Sequence, residues 1–396
     1  MGCTLLTLFV SAGGARGESL TTVESKRVVG KIDRRVLGAA YTGVEESTRE
    51  GLDLGLVTSV AYDDNIFQSS SDKRGDLVVQ VEPQIGWTAG KRREDWVRIA
   101  YEGAAVIYLK ESEDSRMDHR VLVEGGFKRK RIAVAYSGTW ARLGSPSADL
   151  GGQSDRQEWE MNGAVAFEPK GKWSYEVFGR KRAIDQESPA VADLWESSVG
   201  VTAKHRFSPK TRFEVGLETG ETEVDGTDSQ QLQRLRGEVF WAPRAKFNLS
   251  LGGGVEYRDY QVGSGWDPYL AARAEWLPRS STAFYLEAYR REESSVALIG
   301  ENYTLTGLRA GVSQKLKDGW SAGLEFGRES ADYFAVDGSA DSGREDVITF
   351  IRPSVRYRFG DESELIFLYQ WSENDSTDPS YGYANNQLGV SLNYRF

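Results

Sequence analysis

Residues 245–260 read AKFNLSLGGGVEYRDY. In an extended chain Phe247, Leu249, Leu251, Gly253, Val255 and Tyr257 share one face, and Asn248, Ser250, Gly252, Gly254, Glu256 and Arg258 share the other. A period of two is the period of a β-strand. The run is about twice the length of a typical soluble strand, and a tilted strand of that length crosses a bilayer. The apolar face then meets lipid, and the face carrying Glu256 and Arg258 meets an aqueous interior.

The same pattern recurs in DLVVQVEPQIGW (76–87), RIAVAYSGTW (131–140) and LWESSVGVTAKHRF (194–207), and it closes the chain in SLNYRF (391–396). From residue 52 onward it repeats about eighteen times with no competing helical period. Connections alternate between short ones (KRKR, SPK, APRAK, LKDG) and long acidic ones (GSPSADLGGQSD, EESSVALIGEN, SENDSTDPSYGYANN). Outer-membrane barrels have short periplasmic turns and long external loops, and an even strand number returns both ends of the barrel to the periplasm. The expected fold is an all-β transmembrane antiparallel barrel of about 18 strands over 52–396, in the bacterial outer membrane, in contact with its lipids. A soluble propeller or string of sandwiches also has many strands, but predicts neither this alternation nor aromatics gathered beside the short turns.

Those aromatics form the expected girdle: Trp87, Trp96, Trp173, Phe207, Phe213, Trp241, Phe247, Trp276, Trp320, Phe359 and Phe396. Amphipathic rings settle at the headgroup level. A second belt is expected near the long loops from Tyr62, Tyr108, Trp140, Tyr257 and Trp371. The opposite face carries the expected lumen lining: Glu82, Arg98, Glu102, Arg120, Glu124, Glu158, Glu160, Arg180, Arg206, Arg212, Glu214, Arg234, Arg236, Glu256, Arg258, Arg273, Glu287, Arg309, Glu325, Arg352 and Arg356. A charge facing lipid at mid-bilayer costs about 2–4 kcal/mol, so charges in such number turn inward. Their signs are nearly balanced. They read either as a salt-bridge lattice that stiffens the barrel or as a weakly binding polar track.

The chain of 396 residues has a net charge of −10, which argues against nucleic acid as a partner. Its one cysteine, Cys3, lies in MGCTLLTLFVSAGGARG, which resembles the end of a secretory signal peptide over 1–17. The basic n-region is missing, as expected if the true start lies further upstream. Residues 18–51 read as a periplasmic segment or a small plug. Neither disulfides nor thiolate metal sites are needed. His119 and His205 fall on different strands, and no Ser/His/acid set can be placed, so no cofactor, metal or catalytic centre is expected. The long acidic loops are expected to be solvated and to take up divalent ions beside lipopolysaccharide.

The segment AYDDNIFQSSSDKRGDLVVQVEPQIGW (61–87) resembles the first hairpin of the outer-membrane β-barrel porin family of exopolysaccharide and capsule gene clusters. The matching residues are Tyr62, Asp63, Asn65, Ile66, Phe67, Asp76, Pro83 and Trp87. FIRPSVRYRFGDES (350–363) and the terminal LNYRF resemble its later repeats and its end. The resemblance implies a pore that exports a secreted polysaccharide in a Wzx/Wzy-type pathway. Its partners would be a periplasmic polysaccharide export protein and an inner-membrane copolymerase. The basic turn residues Lys91, Arg92, Arg93, Lys128, Arg129, Lys130, Lys170, Lys172 and Arg244 would face such a partner. The ending also resembles the signal read by the barrel assembly machinery, with Ser391 where that signal prefers glycine. Other readings are a passive diffusion porin for ions or small solutes, a structural barrel blocked by its own ion pairs, and a phospholipase-type barrel enzyme.

Overall fold

A computed structural model describes residues 50–90, 95–147, 149–169, 171–260, 262–338, 341–360 and 362–396. The signal-peptide reading, nearly all of segment 18–51 and the turn residues Lys91, Arg92, Arg93 and Lys170 lie outside the described residues.

The described chain is β-sheet apart from one short 3-10 turn, Ser112–Asp114. Its strands are β1 (Gly51–Asp63), β2 (Asp76–Gly90), β3 (Asp95–Tyr108), β4 (Arg116–Arg129), β5 (Ile132–Leu143), β6 (Pro146–Ser147), β7 (Gly152–Gln153), β8 (Arg156–Phe167), β9 (Trp173–Gln186) and β10 (Leu194–Ser208). They continue as β11 (Thr211–Val224), β12 (Gln230–Arg244), β13 (Phe247–Asp259), β14 (Ser264–Arg279), β15 (Thr282–Ser294), β16 (Glu301–Lys315), β17 (Trp320–Ala335), β18 (Glu345–Phe359), β19 (Ser363–Ser376) and β20 (Tyr383–Arg395). The small pair β6–β7 lies in one loop, and the other strands form one 18-stranded sheet. Each pairs antiparallel with its chain neighbours, and β20 returns to β1 from Gly55↔Arg395 to Asp63↔Gln387, so the sheet closes on itself at the seam. The strand number matches the expected eighteen, and the stretches 76–87 and 194–207 quoted above fall on β2 and β10.

Alternation sets inside from outside. On β13 Leu251 and Val255 are exposed, while Glu256 and Arg258 are buried. The outer surface is a band of large apolar side chains such as Val177, Val199, Leu217, Leu235 and Leu324. On β9 the band runs from Trp173 to the first outward charge, Lys181, a rise of roughly 20 Å along a tilted strand and close to the height of a bilayer core. A closed barrel wearing this belt is an integral outer-membrane protein.

Periplasmic turns are tied to one another. The backbone N–H groups of Arg206, Ala242 and Leu277 donate to the carbonyls of Lys172, Lys210 and Lys246 in the preceding turns. Aromatic pairs straddle the same turns: Phe207–Phe213 at 6.1 Å, Trp241–Phe247 at 5.9 Å and Trp276–Phe284 at 5.4 Å between ring centres. The ladder breaks at two outward prolines without an N–H, Pro83 between β2 and β3 and Pro353 between β18 and β19. It also ends early between β14 and β15. Pairing runs from Trp276↔Phe284 only to Leu270↔Arg290, although β15 continues against β16 as far as Ser294↔Asn302.

Candidate functional site: the lumen and its outer mouth

The lumenal face is an ion-pair lattice with two recurring units. In the first, an arginine and a carboxylate two residues apart project from one strand face. Arg156–Glu158 (2.8 Å), Arg212–Glu214 (2.8 Å), Arg258–Glu256 (2.6 Å) and Arg273–Glu275 (2.8 Å) are of this kind. In the second, the partners lie on adjacent strands: Arg98–Glu124 (3.5 Å), Arg234–Glu218 (3.3 Å) and Arg352–Glu325 (3.0 Å). Arg234 also pairs with Glu256, and Arg273 reaches Glu287 at 3.9 Å. Arg309 and Glu329 form a deeply enclosed pair, and Tyr289 Oη also donates to Glu329 at 2.6 Å. Arginines further lie over aromatic rings, Arg212 above Phe240 at 4.0 Å and Arg236 above Phe178 at 5.3 Å. Flat rings need room, which glycines provide: a Cβ on Gly307 would come within 2.3 Å of Tyr289, and one on Gly327 within 2.2 Å of Phe350. This wall presents paired charges, each of these arginines set against a carboxylate or an aromatic ring.

The remaining expected lining residues take varied positions. Gln80 donates to Glu82 at 2.6 Å, and Asn162 to Glu160 at 2.9 Å. Arg98 and Glu102 border a small polar cavity with Asp53, Gln84 and Arg395. Arg120 is buried, Arg180 is half-buried, and Arg356 lies 3.4 Å from Glu364. Arg206 is exposed at the periplasmic rim opposite Arg212. Two aromatics depart from expectation. Trp96 has the strand parity of Arg98 and lies opposite Gly126 on the inner face, where its indole would meet a Cβ on that glycine at 3.3 Å. It therefore leaves the girdle for the lumen. Tyr108, expected in the second belt, is 5% exposed and faces inward, where it receives a bond from Arg116 at 2.7 Å. Both are set by alternation, because the outward side of β3 carries Ile99 and Ile107.

The long loops depart most. They were expected to be solvated, and stretches such as 187–190 and 377–380 are, but other segments fold over the mouth and into it. Asp63, Asp64 and Asn65 latch the seam. Asn385 Nδ2 and Gln387 Nε2 donate to Asp63, each at 2.5 Å, and Asn386 Nδ2 donates to Asp64 at 2.8 Å. Asn65 Nδ2 donates to the Ala384 carbonyl, and Ile66 packs inward on Ala61, Val78, Val106 and Tyr108. Buried Asp76 accepts from the N–H groups of Leu77, Lys110 and Glu111. Asp149, beside the β6–β7 pair, reaches the far side of the ring. Its carboxylate accepts from Ser295 Oγ (2.8 Å), Val296 N (2.9 Å) and Tyr333 Oη (3.0 Å). Its carbonyl accepts from Arg344, which pairs with Asp346 at 2.6 Å and stacks on Tyr381 at 3.4 Å. Tyr260 donates to Glu292 at 3.0 Å; burial and that carboxylate both push its hydroxyl above the usual tyrosine range. Among the described residues no group of three or more His, Cys, Asp or Glu side chains is placed to hold a metal ion. Asp149, Arg291, Glu292, Glu293 and Arg344 escaped sequence reading. Asp149 and Arg344 lie in loops, which have no period to read, while Arg291, Glu292 and Glu293 end β15, where composition does not reveal that a charge is paired.

No protein-family model matches the chain, and no curated protein matches it in sequence. Solved structures similar to it are outer-membrane barrels. OccK1 (OpdK) of Pseudomonas aeruginosa is 12% identical over 87% of this chain and 98% of that one, with a TM-score of 0.48. The FrpB iron transporter of Neisseria meningitidis is 8% identical over 92% and 83%, at 0.47, and the siderophore receptor PirA of Pseudomonas aeruginosa 10% identical over 88% and 80%, at 0.44. At such values the barrel rests on its own closed ladder of strands.

Proposed function

We propose that this barrel is a diffusion pore for ions or small polar solutes. The observation that carries this reading is the combination of a polar, charge-paired interior with loops that meet across the outer mouth. Inward-facing pairs such as Arg273–Glu275 and Arg352–Glu325 offer hydrogen bonds without a dominant field, so a small solute neither sticks nor is repelled. An 18-stranded wall is wide enough for an aqueous path once side chains are accounted for. The contacts of Asp149 across the ring narrow the mouth, and a polymer would need all of them displaced at once. The test is planar-bilayer conductance of the purified barrel without any partner. Discrete channel events support the reading; a folded barrel that passes neither ions nor small sugars in a swelling assay removes it.

The second reading is export of a secreted polysaccharide with a periplasmic export protein. What favours it is the Asp63–Asn65 motif and the family resemblance it carries. Deleting the gene and measuring surface and periplasmic polysaccharide together separates the two. Loss of surface polymer from cells with intact envelopes selects export, and unchanged polymer selects the diffusion pore.

A further inference from the structure

The early end of the β14–β15 ladder points to a moving part. Continuing the observed register past Leu270↔Arg290 would place Tyr269 opposite Arg291, Pro268 opposite Glu292, Asp267 opposite Glu293 and Trp266 opposite Ser294. None of these ladder pairs forms, and in the ladder residues 264–269 pair with β13 alone, while the Asp267 side chain accepts from Arg290 at 3.2 Å. The sequence explains why. Pro268 has no N–H to give a ladder, and Asp267 against Glu293 sets like charges face to face.

Beyond Arg290 the β15–β16 tip instead bends into the mouth. Glu292 has the parity of lipid-facing Leu286, and Asn302 that of lipid-facing Leu308, yet both are buried, at 6% and 0%. Glu292 lies 3.4 Å from Arg258 Nε, and Asn302 Nδ2 donates to Gln230 at 2.8 Å, so the outer face of the tip rests on the inner face of β12 and β13. Ala192 N donates to the Val296 carbonyl at 3.1 Å, and Asp149 caps the turn from the other side.

We propose that the β15–β16 tip is a gate with two seats. In the inward seat, seen here, it crosses the mouth and rests on Arg258, Gln230 and Asp149. In the outward seat it zips onto the free edge of β14 and clears the mouth. Lost contacts to Arg258 and Gln230 are exchanged for ladder hydrogen bonds, less the defects at Pro268 and Asp267, so the two seats are near in free energy and inward is favoured. The proposal rests on the pore reading above.

Single-channel recording on the full-length chain tests it, with heat-shifted gel mobility as the check of folding. Glu292→Ala removes the inward seat's ion pair with Arg258, and Asp267→Asn both weakens its 3.2 Å pair with Arg290 in the inward seat and relieves the clash with Glu293 in the outward seat. Each should raise open probability at least about tenfold over the parent, the factor for about 1.4 kcal/mol of bias. A variant with residues 295–300 replaced by two glycines should be open throughout. If that variant conducts while Glu292→Ala and Asp267→Asn match the parent, the gate is overturned and the pore stands; a parent already as open as the shortened variant has the same meaning. If no variant conducts although all are folded, the pore reading falls and the gate with it. The outward seat is tested directly by Trp266→Cys with Ser294→Cys in a Cys3→Ser background. Residues opposite each other in a ladder lie within disulfide reach, so oxidation should trap the open channel and reduction release it. A bridge with the channel shut, or no bridge, overturns the outward seat.

Discussion

Arg309 and Glu329 are each about 2% exposed and share their charges inside the wall with Tyr289. Such a pair adds little net stability, because desolvation offsets most of its attraction, but losing one member strands the other. Arg309→Ala is therefore expected to lower stability by about 3–5 kcal/mol, whereas Arg309→Ala with Glu329→Ala recovers most of that loss. Urea unfolding of the barrel in lipid vesicles measures both; additive losses would mean that the pair is not coupled. The two residues differ in legibility. Arg309 stands out by strand parity, but the partner that neutralises it lies on the next strand, and register is needed to find it. Asp63 is a sharper case. Its motif is conspicuous in sequence, yet its role in latching β1 to β20 depends on Asn385 and Gln387, more than three hundred residues away. Asp63→Ala takes the acceptor from Gln387 and leaves Asn385 with only the Asn65 carbonyl, and by the same measurement should cost about 1–3 kcal/mol.

At the scale of strands, alternation decides position and predicts sign. Leu251 is 50% exposed on the outer face of β13, and Ser250 beside it points inward and donates to Glu238 at 2.6 Å. Leu251→Arg places a charge in the belt and should cost about 2–4 kcal/mol near mid-bilayer. Ser250→Arg points into a wet lumen between Glu238 and Arg273, so its gain and its repulsion largely offset and it should cost well under what Leu251→Arg does. Unfolding midpoints that moved equally would reverse inside and outside. Strands were legible because period two is a direct imprint of one lipid face and one polar face. Trp96 was misplaced for a reason the sequence itself could have corrected: nearness to a short turn put it in the girdle, while its even spacing from Arg98 put it in the lumen. The β15–β16 tip was illegible for a different reason. Glu292 and Glu293 look like the start of a solvated acidic loop, EESSVALIGEN, until the structure supplies Arg258, Gln230 and Asp149 as partners of the tip.

The two ends of the whole barrel are built differently. The periplasmic rim is stitched by turn-to-turn bonds and outward aromatic pairs, whereas the outer mouth is held by inward-folded loops. Phe396 belongs to the first end. It is 69% exposed, its N–H donates to the Leu54 carbonyl at 3.0 Å, and its ring meets Tyr394 edge-on at 4.6 Å. The backbone bond to β1 survives any substitution, so the ring's contribution to the finished barrel is its contact with the interface and Tyr394, about 1–2 kcal/mol. A barrel must also be inserted, and Phe396 lies beside the β1–β20 pairing that closes the ring. Phe396→Ser should therefore separate two quantities. The unfolding midpoint of the refolded protein should shift only slightly, while the amount of folded barrel recovered from outer membranes should fall several-fold. A large loss of stability with normal insertion would make Phe396 a girdle residue and nothing more. Normal values for both would mean that the seam closes through β1–β20 pairing and the Asp63 latch without help from the terminal ring.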